Sequence, residues 1–241
     1  MNAPVLATLH LPRHFYPPRY FENIPPNVSF NCVSLAQAQS FSSLSSLLGV
    51  VPNGIMLDRF RPGNGARRGL LWLGRICEEK GPHLALEIAA RARQPLCLAG
   101  QVYPFSYHHQ YFEREIAPRL REIPQAMFLP SPTARRKQAL LGEARALLIT
   151  SLVDETSSLA AMEAAASGTP VIAFRRGALP EVVKDGVTGW IVDGVEEAVE
   201  AVGKIGEIQP GRCLREAQER FNSKKMAEGY AQLYFKIAGR W

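Results

Sequence analysis

Leu70-Leu71-Trp72-Leu73-Gly74-Arg75-Ile76-Cys77-Glu78-Glu79-Lys80-Gly81-Pro82 is the stretch on which the fold turns. A short apolar run bounded by a glycine reads as a buried strand of a parallel sheet. Pro82 suits the first turn of a helix, and apolar residues recur at three-to-four spacing through residues 84–92. Gly74 lets the chain turn sharply and approach a ligand, while Arg75 and Lys80 set a planar fork and a compact charge at the mouth of the loop. That charge pair suits a diphosphate. The same residues would equally make a basic surface loop neutralised by Glu78 and Glu79.

Outward from this unit the pattern repeats. Residues 96–99, 127–129, 146–150 and 171–174 are further short apolar runs, and residues 107–121, 134–144 and 159–167 carry helical periodicity between them. Strand and helix alternating over short connections give βαβ units, hence an α/β fold built on a doubly wound, Rossmann-like parallel sheet. The ligand crevice of such a sheet lies beyond the carboxyl ends of its strands, which puts the loops after Leu73, Ala99, Leu129, Thr150 and Phe174 on one rim.

One of those loops leads into Asp154-Glu155-Thr156-Ser157-Ser158-Leu159, with Glu163 further along an alanine-rich helix. Ser157 or Ser158 is a natural N-cap, and the helix N-terminus that follows offers free amides and a positive dipole end to a phosphate. Glu155 and Glu163 are about 12 Å apart if the rise is helical throughout. Such a pair suits hydroxyls at opposite ends of an elongated ligand better than the acid and base of a glycosidase. Among Ala160, Ala164 and Ala165, the Glu163 charge needs a partner.

The first fifty residues differ in texture. Residues 5–9 and 30–33 read as two strands separated by Pro12, Pro17, Pro18, Pro25 and Pro26, too little to bury a core of their own. The serine-rich residues 40–46 read as a linker or a surface turn. Cys32, Cys77, Cys97 and Cys213 show neither disulfide nor zinc spacing, so no metal site is expected, and Cys32 and Cys97 read as small buried hydrophobes. A reducing cytoplasm fits. The N-terminus lacks a signal-peptide pattern and no segment approaches a membrane span. The formal charge of +6 suits an ordinary soluble surface, an anionic ligand or peripheral contact with the acidic inner membrane face. Basic residues are not interleaved with aromatics, so nucleic acid is not an expected partner.

Taken together, these motifs resemble the GT-B retaining glycosyltransferases, the large group that includes sucrose synthases, bacterial mannosyltransferases and glycogen-synthase relatives. The resemblance rests on Val50-Val51-Pro52-Asn53-Gly54-Ile55, Gly74-Arg75 with Lys80-Gly81, and Glu155-x7-Glu163. It continues through Ser167-Gly168-Thr169-Pro170-Val171-Ile172-Ala173, Gly177-Ala178-Leu179-Pro180-Glu181 and Asp185-Gly186-Val187-Thr188-Gly189. It implies a nucleoside-diphosphate sugar, of uridine or guanosine, as donor substrate, with no separate cofactor or metal. Arg75 and Lys80 would hold the diphosphate beside Gly74, with the backbone of Ser157, Ser158 and Leu159 completing the cradle. Glu155 would bind sugar hydroxyls and Glu163 ribose hydroxyls. Thr156-Ser157-Ser158 replaces the family's usual Pro-Phe-Gly-like run, which alters the sugar pocket but keeps backbone donors.

The N-terminal piece resembles the end of the family's acceptor domain. Ala7-Thr8-Leu9-His10 looks like the strand end whose histidine faces the transferred sugar, and Cys32-Val33-Ser34-Leu35-Ala36-Gln37 like the last strand and helix start before the linker. The resemblance thus divides the chain into an acceptor-domain remnant and linker (1–50), a nucleotide-sugar domain (51–222) and a terminal helix returning to the remnant (223–241). Family members carry a much longer segment before this point. The expectation is therefore self-association, or a partner chain, to complete the acceptor side, whose substrate the sequence leaves unspecified. The other reading left open is a non-catalytic nucleotide-sugar-binding module or one subunit of a two-chain transferase.

Overall fold

The computed structural model describes residues 3–63 and 65–239. The chain opens with β1 (Val5–Thr8), β2 (Val28–Cys32), the short helix α1 (Leu35–Ser40) and β3 (Leu47–Val50). These three strands form a parallel sheet in the order β1-β2-β3. It does bury a small core, contrary to the expectation from two strands. Leu9, Phe30, Cys32 and Phe41 are buried, and Tyr16 and Phe21 from the proline-rich loop roof them with edge-on aromatic contacts. The Arg13 guanidinium lies 4.4 Å from the Phe21 ring centre and closes this cluster. The serine-rich stretch after α1 is a surface turn between α1 and β3 rather than a linker.

The second sheet has six strands. In chain order come β4 (Leu70–Arg75), α2 (Pro82–Arg91), β5 (Leu96–Gln101), α3 (Ser106–Tyr111), α4 (Ala117–Glu122), β6 (Ala126–Pro130), α5 (Ala134–Glu143) and β7 (Ala146–Ile149). Then follow α6 (Leu159–Ala166), β8 (Val171–Phe174), α7 (Leu179–Val182), β9 (Gly189–Val192), α8 (Val195–Lys204), α9 (Pro210–Arg220) and α10 (Ser223–Ala238). All neighbours are parallel, in the order β6-β5-β4-β7-β8-β9. Every residue of β7 and β8 is buried, as a parallel sheet covered on both faces requires. The order reverses between β4 and β7, so the ligand crevice of this fold lies beyond their carboxyl ends.

Local deviations have physical causes. Residues 107–121 are not one α-helix: a π-helical turn at Phe112–Ile116 separates α3 from α4. Pro118 lacks an amide proton and would crowd the carbonyl four residues back, and the widened turn absorbs that conflict. All four cysteines are free, but Cys97 is only half-buried, because it lines an open cavity with Leu140 and Ala144. Among the described residues no helix is long and apolar enough to cross a membrane.

The strand ends at the switch point are locked together. The Trp72 indole on β4 donates to the Thr150 hydroxyl (3.1 Å), which donates to the Gly81 carbonyl (2.7 Å). Gly81 has φ +62°, and a Cβ there would overlap the Thr150 carbonyl oxygen. Gly81→Ala combines a left-handed alanine with a backbone collision, so stability should fall by about 2 kcal/mol or more. Urea unfolding measures this directly, and an unchanged midpoint contradicts the lock.

Candidate functional site

The loop after β4 folds over the crevice as a single 3-10 turn, Glu78–Lys80. The Leu152 amide donates to the Glu79 carbonyl (2.8 Å) and pins this turn to the loop after β7. Lys80 then points across the gap and makes an ion pair with Glu155, whose carboxylate also accepts from the Ser151 hydroxyl. Both side chains are mostly buried, so each charge depends on the other for compensation.

Glu155 is held by the neighbouring loop. The Gly177 amide donates to the Asp154 carboxylate (3.0 Å) and the Ala178 amide to the Glu155 carbonyl (2.7 Å). Gly177 has φ +52°, and a Cβ there would overlap the Glu155 backbone. This explains the glycine in the Gly177–Glu181 motif: it lets two crevice loops touch.

Ser158 is the N-cap of α6, accepting from the Ala161 amide (3.3 Å). The first-turn amides of Leu159 and Ala160 have no partner within the helix. The Ser157 hydroxyl is buried and makes no hydrogen bond. An orphaned buried hydroxyl beside open helix amides marks a place that a polar ligand would satisfy.

These groups surround one cavity of about 270 Å³. Gly74, Lys80, Glu155, Ser157, Ser158 and Leu159 line it, with Trp72 and Thr150 as its floor. Gly74 does not make the sharp turn expected of it: it lies within β4. Its lack of a side chain is needed because a Cβ would sit 2.9 Å from the Trp72 ring.

The other proposed residues, Arg75, Glu163 and His10, do not line this cavity. Arg75, at the end of β4, is exposed, its guanidinium 5.9 Å from the Tyr103 ring centre. Burial pushes the nearby Glu79 carboxyl up. Hydrogen bonds from its own amide and the Cys77 thiol, with the Arg75 charge, outweigh that and leave it below the usual carboxylate range. Glu163, one turn further along α6, pairs with Lys137 on α5 (2.7 Å). The His10 residue is exposed, and its carbonyl accepts from the Thr156 hydroxyl (2.8 Å).

A second cavity of about 290 Å³ lies on the other side of the 154–156 loop, between the two sheets. Arg13, His14, Gln37 and Gln39 face Asp154, Glu155 and Thr156 across it. Glu155 therefore stands in the wall between two cavities. His14, which has no sequence context of its own, lines this cleft. Lys137 was also missed as the partner of Glu163; its signal was the basic run Arg135-Arg136-Lys137 on the helix before β7. The two sheets are joined across the cleft by the Glu181 carboxylate, which accepts from the Leu35 and Ala36 amides at the start of α1 (2.9 and 2.6 Å).

Solved structures share this architecture. Sucrose-phosphate synthase from Thermosynechococcus elongatus superposes with a TM-score of 0.80 at 21% identity, over 92% of this chain and 61% of that one. Anabaena HepE in complex with UDP gives 0.81 at 16% identity, over 97% of this chain and 72% of that one. HepE has also been solved with UDP-glucose, and that structure superposes equally well. At the sequence level, D-inositol 3-phosphate glycosyltransferase of Mycobacterium leprae is 33% identical over 176 residues, which are 67% of this chain and 41% of that protein. The Streptomyces scabiei enzyme of the same name is 33% identical over 173 residues, 63% of this chain and 39% of that one. The chain thus spans about two fifths of the curated relatives it matches. The pattern that defines the glycosyl transferases group 1 matches residues 58–225, and the chain, with its GT-B architecture, belongs to that family.

Proposed function

We propose that the crevice binds a nucleoside-diphosphate sugar and that the sugar is transferred with retention of configuration. The observation that carries this reading is the convergence of Lys80, Glu155, the orphaned Ser157 hydroxyl and the α6 amides on one cavity at the switch point. A diphosphate on the helix N-terminus gains the open amides and the dipole, while Lys80 and Arg75 supply charge. Lys80 then exchanges or shares its Glu155 partner, which frees that carboxylate for sugar hydroxyls. Glu163, paired with Lys137, would take the ribose hydroxyls. HepE, of the same fold, is solved with UDP and with UDP-glucose, which favours uridine over guanosine here.

In transfer, the bond from the anomeric carbon to the diphosphate breaks as negative charge grows on the leaving oxygen. Arg75, Lys80 and the helix amides stabilise that charge electrostatically. The acceptor hydroxyl attacks from the same face and passes its proton to the departing phosphate oxygen, so no protein carboxylate is needed as nucleophile. The acceptor approaches through the cleft between the sheets, on the side of Arg13, His14 and His10.

Arg75→Ala and Lys80→Ala should each lower transfer by about 100-fold or more. Arg135→Ala should leave it unchanged, since Arg135 lines a separate groove beside Arg59 and Arg61. Equal losses in all three variants would contradict the assignment.

Among the described residues the acceptor side is a three-stranded sheet whose β1 is paired on one side only. The chain alone is expected to bind UDP, measured by calorimetry, yet to transfer little sugar without self-association or a partner that covers this sheet. This is the two-chain reading of the same site. Rapid donor turnover by a protein that light scattering shows to be a dilute monomer would overturn it.

A further inference from the structure

The loop that carries Arg75 and Lys80 has a second face, turned away from the cavity. There Cys77, Glu79 and His108 bring a thiol, a carboxylate and an imidazole together, their ligand atoms all within 4.8 Å of one another. Cys77 and Glu79 come from the turn after β4, and His108 from α3 after β5. Spacing along the chain gives no metal motif; the pairing of adjacent strands β4 and β5 creates the cluster.

His108 is 1% exposed, and among the described residues neither of its ring nitrogens has a hydrogen-bond partner. A buried imidazole left in this state has lost its hydrogen bonds to water without replacement. Its surroundings do not repair this: Phe105 and Tyr107 meet the ring edge-on, with Tyr103 tilted against it. Cys77 is fully buried as well. The Cys77 thiol lies 3.6 Å from the Arg75 carbonyl oxygen, so the unpartnered group that faces it and the Glu79 carboxylate is the His108 ring.

We propose that Cys77, Glu79 and His108 bind a divalent ion of the zinc class. Sulfur, nitrogen and oxygen donors together match zinc's preferences, and three protein ligands leave a fourth tetrahedral position for water. Binding releases the Cys77 thiol proton to solvent and forms a metal–sulfur bond. The thiolate and carboxylate together carry charge −2, which cancels the ion. The adjacent Arg75 guanidinium therefore meets no net positive charge from the loaded site. Closing the donors to metal–ligand lengths draws α3 onto the turn, so the ion staples the outer face of the loop that presents Arg75 and Lys80. This inference does not depend on which substrate the cavity takes.

The test uses the full chain, stripped of metal under reducing conditions and titrated with cobalt(II) and then zinc. Cobalt is expected to bind one to one and to show thiolate-to-metal charge-transfer absorption, which zinc displaces. Cys77→Ser and His108→Ala should each weaken binding by more than the roughly 10–100-fold that loss of an outer-shell partner costs. Cys97→Ser and His109→Ala should not. Far-ultraviolet circular dichroism of the metal-free variants checks that they fold. Should a variant fail to fold, X-ray absorption of the zinc-loaded parent decides: one sulfur and one imidazole in the coordination shell support the site. Sulfur-free coordination, a charge-transfer band that persists in Cys77→Ser, or no binding by the parent would overturn it.

Discussion

The rest of the structure depends on the lock between Trp72, Thr150 and Gly81 at the centre of the six-stranded sheet. The Thr150 hydroxyl is buried between an indole that donates to it and a carbonyl that accepts from it. Each of the three polar groups satisfies another, so β4, β7 and the start of α2 can meet without stranding a donor in the core. The contact is possible only because position 81 carries no side chain. From it follow the direction in which Lys80 leaves the backbone and the floor of the cavity.

The charges above that floor are arranged in pairs. Lys80 answers Glu155 and Lys137 answers Glu163, each across two different loops or helices. Such pairs spread the cost of placing carboxylates beside an alanine-packed helix. On the proposed function, ligand entry would be an exchange of partners rather than the filling of a bare electrostatic hole. The gain from a bound diphosphate would then be the difference between two compensated states. The loop clamp between Gly177 and Glu155 keeps that exchange from moving the backbone.

Much of this was legible from residue order, for identifiable reasons. Strands buried on both faces appear as uninterrupted apolar runs, so β4, β5, β7 and β8 stand out between turn residues. β3 and β9 did not: each is four residues long and contains a glycine, and each adjoins a stretch that reads as turn. The N-terminal core escaped notice because Tyr16 and Phe21 come from a loop rather than a periodic element. Within the site, the residue types at the strand ends pointed to a phosphate cradle. Lys137 with Glu163 and Cys77 with His108 are partnerships made by strand order, and no local spacing encodes them.

The chain passes between the two sheets twice, once after β3 and once before α10, and the two passages run side by side. The Ile55 amide donates to the Phe221 carbonyl (2.7 Å), the Ser223 amide donates to the Ile55 carbonyl (3.1 Å), and a Cβ at Gly54 would sit 2.8 Å from the Ser223 Cα. Midway along its length α10 reaches the first sheet, where the Thr8 and Tyr230 hydroxyls hydrogen-bond to each other (3.2 Å). Two parallel straps stitched to each other behave like a piano hinge. Twisting or sliding one sheet past the other would shear these stitches, and the Glu181 bonds to α1 hold the opposite side. Whatever the cleft encloses thus meets walls of fixed relative placement, with Arg13 and His14 on one leaf and Glu155 on the other.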